Sequence, residues 1–168
     1  MARGESSAWS PRVYFACKTL HLLAVVMFLG NIVTGLFWKA HADRTGEPRV
    51  IAHTLDGIIR SDRWFTVPGV IAIMTFGILT AILAGFPLLR TPWILQSIIL
   101  FTLSGLAFGI QVAPLQVKLR NLAQAAAAGG PWDEAQYKRL SRRWEIWGLL
   151  AIAAPLLAFV LMVFKPGT

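Results

Sequence analysis

Lys18 and His21 stand one helical turn apart at the head of an apolar stretch, with Asn31 further along the same stretch. His21 is the one imidazole set among apolar residues; His41 and His53 fall in polar sequence. Neutral imidazole is a common metal ligand and also holds haem iron from one side. The same ring could instead be hydrogen-bonded to Gln96, to Asn31 or to a backbone carbonyl, and the sequence leaves both readings open. Lys18 can snorkel to lipid headgroups or neutralise a carboxylate such as a haem propionate. Asn31 and Gln96 carry amides suited to bonding between helices.

The elements that hold these residues follow from composition. Of 168 residues, 56% are hydrophobic and 14% charged, against roughly 25% charged in an average soluble domain. The apolar residues come in blocks long enough to cross a bilayer. Four spans are expected, over about residues 13–38, 64–86, 91–114 and 144–164, in a single membrane domain covering 1–168. The fold class is all-α: an integral membrane four-helix bundle, up-down-up-down, with amphipathic helices in the long loops. The first block is too long for a signal-peptide core and lacks a small-residue exit, so no cleavable leader is expected. Cys17 is the sole cysteine, which excludes an intrachain disulfide.

In the loop 39–63, Glu47-Pro48 can open a helix, and Val50, Ile51, Leu55, Ile58 and Ile59 recur at helical spacing. This reads as a short amphipathic helix lying on the membrane surface. Pro68 falls in the first turn of the second span. Gly85, Pro87 and Arg90 make a tight turn to the third span. The third helix is expected to leave the bilayer near Pro114 and continue to Ala128, where Gly129-Gly130 stops it. Pro131 would open the next helix, with Asp133 and Glu134 in its first turn. Glu145 would pair with Arg142 or Arg143.

The net charge of +8 flanks the spans, so it reads as topology and contact with anionic lipid, not as nucleic-acid binding. Eleven of the sixteen Lys and Arg fall in loops 39–63 and 115–143. The positive-inside rule puts those loops in the cytoplasm and both termini outside, in a bacterial inner membrane. Trp38, Trp64, Trp93, Trp144 and Trp147 sit near span ends, as interfacial tryptophans do.

At ~100° per residue, each of three spans presents one small or polar stripe. The first holds Cys17, His21, Ala24, Phe28, Asn31 and Gly35. The second holds Thr66, Gly69, Ile73, Gly77 and Thr80. The third holds Trp93, Gln96, Ser97, Leu100, Ser104, Ala107 and Gln111. Stripes of this kind close on each other. Gly105 and Gly109 form a GxxxG away from Gln96, suited to a homo-oligomer or a membrane partner. No phosphate loop, CxxC, HExxH or hydrolytic triad is present. No charge falls in the middle of a span, where a pump would carry one.

Lys18-Thr-Leu-His21-Leu-Leu, Phe28-Leu-Gly30-Asn31 and Trp38-Lys-Ala-His41 resemble a bacterial family of predicted integral membrane proteins, domain of unknown function 2269. Asp62-Arg63-Trp64-Phe65-Thr66-Val67-Pro68-Gly69 and the closing Phe164-Lys165-Pro166 fit the same family. That family is distantly similar to the four-helix haem-containing membrane protoporphyrinogen oxidases and to copper-resistance D proteins. The oxidases carry Lys-x-x-His at the head of the first span, which Lys18 and His21 match. The resemblance makes His21 the candidate haem ligand. The oxidases' second ligand, a lysine early in span three, is replaced here by Gln96, and their aromatic-Gly-Tyr-Leu-Pro-Arg segment is missing. Oxidase activity is therefore not what the resemblance implies.

The reading favoured is a non-enzymatic membrane protein that holds b-type haem or porphyrin between spans one and three, at His21, Lys18, Gln96 and Asn31. The alternatives are a structural or assembly subunit without cofactor, and a diverged porphyrin or quinone oxidoreductase. Copper handling is disfavoured, because soft metals want clustered sulfur ligands and Met27, Met74 and Met162 are scattered.

Overall fold

The computed structural model describes residues 10–166; Arg3, counted among the charges flanking the spans, lies outside them. Six α-helices follow in order: α1 Pro11–Thr45, α2 Pro48–Ser61, α3 Val67–Leu83, α4 Pro92–Ala107, α5 Ala113–Ala127 and α6 Glu134–Phe164. There is no strand among the described residues. π-helical turns at Asp62–Thr66 and Phe108–Val112 join α2 to α3 and α4 to α5. The chain therefore makes four rods, Pro11–Thr45, Pro48–Leu83, Pro92–Ala127 and Glu134–Phe164, each long and apolar enough to span a membrane. The all-α four-helix membrane bundle is what the apolar blocks dictate.

The rods are longer than a bilayer needs. The 36 residues of Pro92–Ala127 rise about 54 Å at 1.5 Å per residue, against a hydrocarbon core of about 30 Å. The excess projects at the long-loop end and packs on itself. There Ile51 and Leu55 of α2 bury against Leu115, Leu119 and Ala123 of α5, with Ala42 of α1 closing the side. This corrects the surface helix expected around residues 50–59. α2 runs into span two without a break in the helix, and its apolar face meets protein, not lipid. The amphipathic periodicity was real, but a protein partner and a membrane surface satisfy it equally.

Local chemistry sets the ends. Ser10 caps α1 by accepting from Arg12 N–H at 3.3 Å, Pro11 takes the first turn, and Gly46 closes the helix at φ 68°. Asp133 caps α6, its carboxylate accepting from Gln136 N–H at 2.8 Å. That side-chain cap sets the start at Glu134, so Pro131 lies outside the helix it was expected to open.

The prolines explain the two π turns. A proline ring inside a helix clashes with the carbonyl four residues back and removes a donor. Each π turn ends two residues before a proline, Pro68 or Pro114. The widened turn lets the rod run through both, so Pro68 sits in the first turn of α3, as expected for the second span, without breaking the rod. Pro155 is handled differently. It leaves the Ala151 carbonyl without its helical donor, and the Ser104 hydroxyl of α4 donates to that carbonyl at 2.6 Å. In lipid a backbone acceptor must find such a partner inside the protein.

Within the spanning part, α1 packs on α3 and α4 packs on α6. The inward stripes of spans one and two are those expected: His21, Ala24 and Phe28 are buried on α1, and Gly69 and Ile73 on α3. On α4 the buried line is Trp93, Ser97 and Ser104, while Gln96 is exposed.

Glu145 does not pair with Arg142 or Arg143, which are exposed. It faces the ammonium of Lys39 at 3.7 Å and accepts from Ser141 at 2.9 Å. Lys39 is only 2% exposed. It donates to Asp43 and Ser141 at 2.5 and 2.6 Å and stands 5.1 Å from the Trp144 ring centre. Tyr137 donates to the other Asp43 oxygen at 2.6 Å. Burial first, and then the Asp43 carboxylate, push the Tyr137 phenol well above its ordinary range, so it stays a donor. A compact polar knot thus binds the end of α1 to the start of α6.

Candidate functional site

Between the two helix pairs, toward the end that carries the termini and the 84–91 turn, lies a cavity of about 240 Å³. His21 lines it from α1, Met74 and Gly77 from α3, Trp93 and Ser97 from α4, and Pro155 from α6. Its walls are mostly apolar. Lys18 and Lys165 also border it.

His21 is fixed in one tautomer. Its Nδ1 lies 3.0 Å from the Ile73 carbonyl of α3, and a carbonyl oxygen can only accept. Nδ1 therefore carries the proton and Nε2 carries the lone pair. Of the alternatives left open by the sequence, the backbone carbonyl is the partner. That bond does not remove the ligand reading. A ligating histidine usually donates its other ring N–H to a carbonyl or carboxylate, which orients the ring and leaves the far nitrogen for the metal. Gly77 makes the approach possible. A Cβ there would stand 3.0 Å from both Cε1 and Nδ1 of His21. A methyl there would be tighter than ordinary contact, so the imidazole would have to give by a few tenths of an ångström.

The other sequence candidates divide. Lys18 is exposed at the cavity border, 5.8 Å from the Tyr14 ring centre. Gln96 is exposed and does not line the cavity, so the structure does not bring it to His21. The reason is angular. α4 packs on α6 through Trp93, Ser97 and Ser104, and Gln96 lies a sixth of a turn or more off that line at ~100° per residue. Asn31 faces a different chamber. Gly105 and Gly109 are exposed, with nothing within 4 Å of a Cβ built at either.

That second chamber, of about 70 Å³, lies further toward the long-loop end. Phe28 and Phe101 line both chambers, and their ring centres stand 5.5 Å apart. The aromatic pair is the wall between them. On the far side, Asp62 accepts from Thr66 at 2.8 Å and from Asn31 at 3.2 Å on one oxygen, and from Gln116 at 3.0 Å on the other. Asn31 also donates to Thr66 at 2.9 Å. Asn31 is thus interhelical glue, as its amide suggested. Sequence reasoning placed Asp62 in a loop and gave Gln116 no role. The missed signal was spacing: Asp62, Thr66, Gly69 and Ile73 follow one helical face, so the stripe on span two begins a turn earlier than assumed.

Among the described residues no group of three or more His, Cys, Asp or Glu could hold a free metal ion. The segments Lys18–His21, Phe28–Asn31 and Asp62–Gly69 bring Lys18 and His21 to the larger chamber and Asn31, Asp62 and Thr66 to the smaller, and the whole run from Phe15 to Pro166 matches one family description, predicted integral membrane protein. The chain belongs to that family, DUF2269. The match covers residues 15–166, the full set of four rods apart from a few residues at the start of α1. No curated protein and no solved structure matches the chain. Membership brings the membrane assignment and no activity.

Proposed function

We propose that this protein is a small multi-pass protein of the bacterial inner membrane that holds b-type haem or a related porphyrin in the larger chamber, without catalysing a reaction of its own. The observation that carries the reading is the His21 tautomer: a neutral imidazole, oriented by the Ile73 carbonyl, with its Nε2 lone pair free at an apolar cavity. Haem brings four nitrogen ligands of its own and asks the protein for one more. One oriented histidine is therefore enough for a five-coordinate iron, although it could not hold a bare metal. Bound haem would supply a one-electron iron centre.

The surroundings support an amphiphilic, acidic ligand. Lys18 and Lys165 border the chamber and suit propionate carboxylates. Trp93 presents a buried indole N–H with no acceptor among the described residues. Gln96, exposed on α4, offers no sixth ligand, which fits a binding protein better than an oxidase. We place both long loops in the cytoplasm on the Lys and Arg asymmetry.

Titration of haem into detergent-purified, haem-free protein tests the reading. The expected result is saturation at one haem per chain, with a Soret band that shifts in His21→Ala. Loss of that difference would end it. A second reading rests on Gly105 and Gly109, whose open face on α4 suits a second helix in an assembly without cofactor. It predicts that His21→Leu is tolerated and that Gly105→Leu disrupts the complex.

A further inference from the structure

We propose that Asp62, Asn31, Thr66 and Gln116 form a binding site for one small monovalent cation, a proton or Na⁺, in the smaller chamber. Asp62 is the fifteenth residue of the 36-residue rod Pro48–Leu83, close to its midpoint. It stands at the junction of the projecting α2 and the spanning α3, half-buried, where a carboxylate without a positive partner is costly to keep charged. Its three partners are neutral, and no cation pairs with it among the described residues. It is the one charged residue among the described residues that line the chamber.

The neighbouring charges are committed elsewhere. On its own rod, Arg60 pairs with Asp56 at 3.1 Å and Arg63 is exposed. From α5, Arg120 reaches Asp56 at 3.5 Å. From α1, Lys39 is held by Asp43 and Glu145, and that Glu145 is the acidic group α6 presents nearest the knot. Nothing among these supplies Asp62 with a positive charge. One carboxylate is neutralised by one monovalent ion, whereas a divalent ion calls for more acidic ligands.

Oxygen ligands are at hand. The Asp62 carboxylate and the Thr66 hydroxyl already meet at 2.8 Å. Rotation of the Asn31 and Gln116 amides turns their oxygens toward the same point. The chamber volume of about 70 Å³ admits a dehydrated ion or a few waters. The two π turns both border this chamber, through Asp62 and Thr66 on one rod and Phe108 and Val112 on the other. π turns inside α-helices recur at functional sites because they re-aim side chains. The Phe28–Phe101 wall separates the site from His21, so it does not depend on haem.

The test is infrared difference spectroscopy of purified protein between about pH 4 and about pH 9, in Na⁺-free and Na⁺-containing buffer, with ²²Na⁺ binding measured in parallel. The His21→Ala protein is run beside the native one, so failure of the haem reading leaves this test intact. The expected result is a protonated-carboxyl band that grows on acidification and is absent in Asp62→Asn. If Na⁺ moves its midpoint to lower pH, proton and Na⁺ compete for the site. If Na⁺ has no effect, the ion is the proton. Gln116→Leu removes a donor to the carboxylate and keeps the native Asp62, so proton binding should tighten several-fold. A native protein with no such band and no saturable ²²Na⁺ binding would overturn the proposal.

Discussion

At the scale of single residues, Gly77 and His21 make one unit. The glycine leaves room for the imidazole, and the Ile73 carbonyl selects its tautomer. Gly77→Ala should push the ring aside and weaken haem binding at least several-fold, read by the same Soret titration. Gly69→Ala is the matched control. Its Cβ would meet Phe28 Cβ at 3.5 Å, an ordinary contact, so haem binding should hold. Sequence reasoning reached His21, Lys18 and Asn31 because polar residues on an apolar helix stand out by type. It misplaced Gln96 because a stripe drawn at 100° per residue is broad, and only the packing partner chooses which edge turns inward. It overlooked Asp62 because a charge next to Arg63 reads as loop until the π turn is seen to aim it at the bundle.

At the scale of elements, the bundle satisfies its own backbone. Ser104 supplies the donor that Pro155 removes from the Ala151 carbonyl. Ser104→Ala should cost about 1 kcal/mol and lower the melting temperature in detergent by roughly 2–4 °C, measured by fluorescence. Leu119 is fully buried between α5 and α2. Leu119→Ala should cost more, about 2–5 kcal/mol. An α2 lying on the bilayer surface away from α5 would make that substitution nearly silent. The sequence carried the amphipathic period of α2 but not the identity of its partner. The Tyr137 phenol is raised in the folded protein, so its stability contribution is fully present below the ordinary tyrosine pKa and is lost progressively as pH rises from there through the raised folded value. The stability that Tyr137 lends should begin to decline above about pH 10 as the unfolded chain ionises, while the phenol in the folded knot keeps its proton, and Tyr137→Phe should remove that alkaline decline.

At the scale of the whole molecule, four rods longer than the bilayer give two regions with different chemistry. Apolar blocks made the spans legible, since lipid tolerates little else. The projecting bundle was legible only as separate helices, because long-range packing leaves no local period. Charge asymmetry predicts the orientation. In a Cys17→Ser background, a cysteine at Gly129 should react with an impermeant reagent only from the cytoplasmic side, and one at Leu89 only from the outside.

The most direct test of the haem reading is the reduced-minus-oxidised optical spectrum of protein purified in mild detergent from haem-replete cells, native and His21→Ala. The account predicts a reducible Soret and α band in the native protein that is lost in the variant. A flat spectrum from pure, folded native protein, or an unchanged one from the variant, would contradict it.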